Sequence, residues 1–169
     1  LVKRNLHLRL FTNGSGLDEK SIRFLEHFKA YVEMIVFNYP SCVPERFREK
    51  TGSNDYQKTT NAIHLCCKSG LRVFISVQAT ADDYAFETAP MRTKFTEAVI
   101  NAHHTTDRAG LLKGLPQHIK RSDPCAEAML TVYFDTSGSL YACCHDFHKE
   151  TIYANIKNGT LIDLFHTDQ

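Results

Sequence analysis

The sequence has no excess of charge of either sign, no long apolar run and no charged leader, and each absence removes a class of function. Twenty Lys and Arg stand against nineteen Asp and Glu, a net charge of +1. There is thus neither a basic field for nucleic acid nor an acidic tail. The longest purely apolar run, around Met34–Phe37, falls far short of the roughly 20 residues that cross a bilayer as a helix. The chain opens on Leu1 with no charged-then-apolar leader, which points to a processed chain, an excised domain or a gene fragment. Disorder is excluded as well, because 43% apolar and 23% charged residues are ordinary globular values. With 169 residues the chain can hold one substantial core, or one core and a small appendage.

A disulfide framework is also missing. The six cysteines lie at 42, 66, 67, 125, 143 and 144, and two adjacent pairs do not suit a regular secreted scaffold. A reducing, cytoplasmic setting fits better, with some thiols as ligands and the rest as small buried side chains.

What is present is strand–helix alternation. Leu6–Phe11 reads as a strand, broken by the turn chemistry of Thr12-Asn13-Gly14-Ser15-Gly16. Asp18 caps a helix with Ile22, Leu25 and Phe28 on one face. Val32–Phe37 is a buried parallel strand, and a short basic helix follows from Pro44 to Lys50. A longer helix carries Tyr56, Thr60, Ile63 and Cys67 at helical spacing and stops at Gly70. Arg72–Val77 is a third strand. A further helix is expected within Met91–His103, closed by His103-His104, and Thr105–Arg121 reads as a fading strand plus linker.

Repeated alternation predicts right-handed βαβ units and a parallel sheet. In such sheets the loops leaving the carboxyl ends of the strands form the ligand site. Those loops are Thr12–Ser15, Asn38–Ser41 and Gln78–Asp82, all with hydrogen-bonding side chains. The competing reading of each is turn chemistry alone.

The tail is of another kind. Met129–Asp135, Thr136-Ser137-Gly138 and Ser139–Ala142 form a strand, a glycine turn and a second strand. Such a hairpin brings its ends together, so Cys125 and Cys143, with 17 residues between them, can meet on one side. Two thiolates so presented are half of a metal or iron–sulfur site. Cys144 alternates to the opposite face unless the strand ends or bulges there. His145, Asp146 and His148, just beyond, read as a solvated loop, the alternative being an imidazole or carboxylate in place of a thiolate at an iron. Cys66 and Cys67 read as packing, and Cys42, in a strand-exit loop beside the expected site, as incidental unless its pKa is lowered. Arg108, in Arg108-Ala109-Gly110, is suited to take a carboxylate bidentately, or is a surface arginine.

These residues resemble a family. Leu10-Phe11-Thr12-Asn13-Gly14 is similar to the strand and Thr-Asn-Gly exit loop of radical S-adenosylmethionine (SAM) enzymes. Cys125, twelve residues, Gly138, four residues and Cys143 resemble the opening half of SPASM and twitch extensions. Thr151–Ile156 and Leu161–Phe165 are similar to the run that follows that hairpin. The resemblance covers Leu6 to about Phe165. It implies an α/β fold: the later strands and helices of a partial (β/α)6 barrel over residues 1–121, then a cluster-binding hairpin extension over 122–169. It also implies cofactor-binding residues Thr12, Asn13, Gly14, Asn38 and Arg108, and metal ligands Cys125, Cys143 and Cys144 for an auxiliary [4Fe–4S] cluster.

There are two departures. No Cys-x3-Cys-x2-Cys, the motif that holds the SAM-cleaving cluster, occurs in these 169 residues. The later auxiliary ligands do not occur either, so that cluster's ligand set is incomplete here. In addition, Val36-Phe37-Asn38-Tyr39 stands where the family often has Ser-x-Asp-Gly, which leaves Asn38 as the substitute. The resemblance therefore implies part of an enzyme that, complete, cleaves SAM to a 5′-deoxyadenosyl radical and modifies a peptide or small molecule. Its electron donor would be a flavodoxin or ferredoxin, and this chain by itself would be inactive. The alternative is a non-enzymatic zinc- or iron-binding α/β module that uses the cysteines and histidines of 125–148.

Overall fold

The computed structural model describes residues 6–80, 82–104, 131–144, 146 and 148–159. The chain divides into two compact units, Leu1–Thr105 and Thr106–Gln169.

The first unit is built on a four-stranded, wholly parallel sheet. Its strands are β1 (Leu8–Thr12), β2 (Val32–Asn38), β3 (Val73–Ala79) and β4 (Val99–His104), in that spatial order. Between them run α1 (Glu19–His27), α2 (Pro44–Thr51), α3 (Tyr56–Lys68) and α4 (Tyr84–Lys94). Local chemistry explains the ends. Asp18 accepts the Ser21 N–H at 2.8 Å and caps α1. Pro44 opens α2, where its missing N–H costs nothing, and Gly52 closes it at φ 70°.

One face of the sheet is covered. Ile35 and Phe37 of β2 and Val73, Ile75 and Val77 of β3 pack into a single core with Ile22 and Leu25 of α1, Phe47 of α2, Ala62, Ile63 and Cys66 of α3, and Met91 of α4. Side chains alternate along a strand, so the intervening residues line the other face. Arg9, Phe11, Asn38, Gln78, Val99, Asn101 and His103 are exposed there.

The fourth helix and strand correct the sequence expectation. The helix expected within Met91–His103 lies earlier, over Tyr84–Lys94, and passes through Pro90. Its buried face is Glu87, Thr88 and Met91, two of them polar, so no apolar period marks it. Val99–His104 is a strand, and His103-His104 ends it instead of closing a helix. Ile100 and Ala102 pack on the core while Val99, Asn101 and His103 do not, a period of two. The region 105–121 lies outside the described residues.

The second unit contains an antiparallel meander of β5 (Tyr133–Phe134), β6 (Ser139–Tyr141) and β7 (Ile152–Asn155). Gly138, at φ 87°, makes the β5–β6 turn. Among the described residues no helix is long and apolar enough to cross a membrane.

Candidate functional site

All four strands of the first unit point the same way, so their carboxyl ends form one rim. Register sets the side chains of the exposed face into rows. Phe11 pairs with Val36, Val36 with Phe74 and Phe74 with Val99, an apolar row across the whole sheet. Two residues nearer the rim, Asn38 pairs with Ser76 and Ser76 with Asn101. Two further on, Gln78 pairs with His103. Neighbouring strands lie about 4.8 Å apart, so these five polar side chains form a continuous patch about three strands wide. None makes a side-chain hydrogen bond to another described residue. The patch has donors and acceptors in neutral amides and a hydroxyl, plus one imidazole, above an apolar floor on which Phe11 is 72% exposed. It suits an uncharged or weakly charged polar ligand with an aromatic or aliphatic part.

The β1 exit loop is organised by its own side chains. Thr12 lies on the covered face, and its Oγ1 accepts the Gly14 N–H at 2.9 Å. Asn13 Oδ1 accepts the backbone N–H and the hydroxyl of Ser15, at 3.1 and 2.9 Å. The Asn13 carbonyl accepts the Thr59 hydroxyl from α3 at 2.9 Å. Gly14 sits at φ 80°, and a Cβ there would lie 2.8 Å from Phe37 Cε1. Thr12 and Gly14 therefore shape the loop. Asn13 holds it too, while its Nδ2 has no partner among the described residues.

The β2 exit loop is held from behind. Tyr39 is fully buried, and its hydroxyl meets Thr60 Oγ1 at 2.8 Å. Tyr56 donates to the Cys42 carbonyl at 2.8 Å and accepts from Lys94 Nζ at 2.7 Å. Lys94 also lies 4.7 Å from the Tyr56 ring centre and 5.4 Å from that of Phe95, so aromatic faces replace a carboxylate as its partner. Glu87, 1% exposed, accepts Arg46 Nε at 2.9 Å and Lys50 Nζ at 2.8 Å on one oxygen, and Arg46 also pairs with Asp83. Burial pushes the Tyr39 phenol well above its ordinary value. Burial likewise raises the Cys42 thiol, against the opposing pull of Lys94. Neither is primed as a nucleophile at neutral pH.

In the second unit β6 ends at Tyr141, so strand alternation no longer governs Cys143 and Cys144. Both lie in a loop that returns to β7. Asp146 organises it: its N–H donates to the Cys143 carbonyl at 3.0 Å, and its carboxylate accepts the Glu150 N–H, the Thr151 N–H and the Thr151 hydroxyl. Those bonds hold its carboxyl below the usual range, the Thr151 hydroxyl first among them. Asp146 is thereby a loop cap, in keeping with its reading as a loop residue. Cys144 is exposed and Cys143 half-buried.

Of the residues expected from sequence, Thr12, Asn13, Gly14 and Asn38 meet at one rim, and Cys143 and Cys144 share a loop. Arg108 and Cys125 lie outside the described residues. Among the described residues no three His, Cys, Asp or Glu side chains converge as a metal site would require. The two adjacent thiols do not make a cluster's ligand set by themselves. Sequence reasoning misses Ser76, Asn101 and His103. For Asn101 and His103 the signal is the period of two in 99–103, hidden where the expectation of a helix extends over that stretch; for Ser76 it is the alternation of buried and less buried residues along β3.

No protein-family model and no curated protein matches the chain. Solved structures do. Native anSMEcpe with bound AdoMet and the Cp18Cys peptide superposes with a TM-score of 0.62 at 16% identity, covering 96% of this chain and 58% of that one. The same enzyme with AdoMet and the Kp18Cys peptide gives 0.61 at 16% identity, over 96% and 57%. Polyhistidine-tagged anSMEcpe with bound AdoMet gives 0.62 at 16%, over 95% and 54%. The chain thus shares the α/β fold of these structures over nearly its whole length and spans a little over half of theirs.

Proposed function

We propose that this chain is part of a radical SAM-type enzyme, and that the polar rows Asn38–Ser76–Asn101 and Gln78–His103 form its floor for the adenosine part of AdoMet. The observation that carries the reading is the patch itself: five polar side chains without described partners, at the carboxyl rim of a parallel sheet with this fold. The amides and the Ser76 hydroxyl offer both donors and acceptors to a ribose and a purine edge. The apolar row Phe11–Val36–Phe74–Val99 beneath them excludes water from the ligand's inner side. Asn13 Nδ2 and Arg108 are proposed as further polar contacts.

The iron–sulfur cluster implied for the complete enzyme would be held by residues outside this sequence and would supply the reducing electron for AdoMet cleavage. These 169 residues contain no Cys-x3-Cys-x2-Cys, so the chain by itself binds and orients but does not cleave. The likeness to structures with bound peptides supports a peptide substrate over a small molecule. A flavodoxin or ferredoxin is proposed as electron donor, and Cys125, Cys143 and Cys144 as thiols toward an auxiliary [4Fe–4S] cluster in a SPASM- or twitch-like second unit.

The test is titration of the chain with S-adenosylhomocysteine, which occupies the same contacts without reacting, followed by amide NMR. Shifts should concentrate at Asn38, Ser76, Gln78, Asn101 and His103. Ser76→Leu should weaken binding about 10-fold, the scale of 1.4 kcal/mol for lost polar contacts. No saturable binding into the millimolar range, or shifts confined to other residues, would remove the assignment.

A further inference from the structure

Outside the rim, one arrangement joins two turns of the second unit that are far apart in sequence. Asp135 stands at the start of the β5–β6 turn. Its Oδ1 accepts the Ser137 N–H at 2.8 Å, the Ser137 hydroxyl at 2.6 Å and the Ser139 N–H at 3.1 Å. Its Oδ2 takes no part in the turn and accepts Lys149 Nζ at 2.5 Å. Lys149 is the one described non-glycine residue in the left-handed region, at φ 54°. Such a conformation is unfavourable for a lysine and persists only where surrounding contacts impose it. Its N–H donates to the Asp146 carbonyl at 3.2 Å, and the next two N–H groups, of Glu150 and Thr151, are those the Asp146 carboxylate caps.

We infer that Lys149 and Asp135 are positioning residues, a latch that closes the loop 142–151 onto the hairpin turn and so fixes the backbone that presents Cys143 and Cys144. An exposed ion pair is ordinarily worth little, because two flexible chains must be ordered to make it. Here one partner is already rigid: the Asp135 carboxylate is 13% exposed and locked by three bonds to its own turn. Only the lysine remains to be ordered, and its unusual backbone aims it. The Lys149 hydrogen bond, with those of Ser137 and Ser139, also holds the Asp135 carboxyl far below the usual carboxylate range, so the latch stays charged across the neutral and mildly acidic range. The loop closes a second time where Thr151 Oγ1 accepts the Ala142 N–H at 3.2 Å. The thiol pair therefore sits between two closures.

A role toward metal rests on the proposed reading of these cysteines as ligands, and the test separates the two claims. Amide exchange of Glu150 and Thr151, and Zn2+ affinity by competition with a chromogenic chelator, are measured on the full chain. The variants are Lys149→Met, Lys149→Arg, Lys149→Gly, Cys143→Ala and Cys144→Ala. The latch predicts that Lys149→Met speeds exchange at both amides about 10-fold; the ligand reading adds that Zn2+ binding weakens by a similar factor, the scale on which residues behind ligands tune a site. Lys149→Arg should recover most of both. Lys149→Gly, which relieves the backbone cost but has no ammonium, should behave as Lys149→Met. Exchange in Lys149→Met or Lys149→Gly as in the parent chain would overturn the latch. If exchange responds as expected but Cys143→Ala and Cys144→Ala leave Zn2+ binding unchanged, the latch stands and the ligand reading falls.

Discussion

Gly14 shows how a residue in a candidate binding loop can owe its identity to packing. At φ 80° and with the Phe37 ring where a Cβ would stand, it meets two separate objections to any side chain. Gly14→Ala should cost about 2–4 kcal/mol, adding the left-handed penalty to overpacking against a fully buried ring. Urea denaturation measures this. A cost under ~1 kcal/mol would mean that the loop relaxes freely. Cys66 makes a second residue-scale case. Burial, with Cys67 beside it, pushes its thiol up to about 12. The folded value lies above the unfolded one, so the contribution is complete below the unfolded thiol value, about 8.5. It is lost progressively as pH rises from there toward about 12. Stability should decline over that window, and Cys66→Ala should flatten the decline. Under native conditions at neutral pH, iodoacetamide should label exposed Cys144 well before Cys66, as read by peptide mass spectrometry.

At the scale of elements, α4 is the instructive one. Its face toward α2 and the β2 exit loop is polar: Glu87 receives Arg46 and Lys50, and Lys94 reaches Tyr56 from the last turn. Hydrophobic periodicity reports elements that bury apolar stripes, and this one does not, so it has no period to read. Removing the negative charge alone leaves two cations facing a neutral group. Glu87→Gln should destabilise the first unit by about 3–5 kcal/mol, the range for breaking a buried pair from one side. Thermal unfolding followed by circular dichroism in the far ultraviolet checks it, and an effect below ~1 kcal/mol would show that solvent reaches the cluster. By contrast α1, α2 and α3 are legible in the sequence, because Asp18, Pro44 and Gly70 punctuate them and their apolar faces are regular. The strand β4 is obscured by the helix expected over it. Once α4 ends at Lys94, the alternation of Val99, Ile100, Asn101, Ala102 and His103 is plain.

For the whole molecule, the iron–sulfur proposal concerns the complete set of thiols. Anaerobic reconstitution with iron and sulfide should give a brown protein with a broad visible absorbance, and the colour should be lost in Cys125→Ala and Cys143→Ala. A colourless protein that holds stoichiometric zinc would favour the metal-binding module instead. The amino-acid sequence determined on its own that the first unit is a parallel α/β sheet, because β-branched and apolar strands alternate with capped helices, and only crossover connections satisfy that order. It also determined a β5–β6 hairpin, because Gly138 between two short strands leaves few alternatives. Tertiary structure alone decided which side chains share a site. Asn38, Ser76 and Asn101 come from three strands separated by whole helices, and only the interstrand register brings them level. Lys149 and Asp135 meet across a loop whose path depends on one left-handed residue. Such meetings are set by register and backbone sign, which residue type biases but does not specify, so they appear only once the chain is folded.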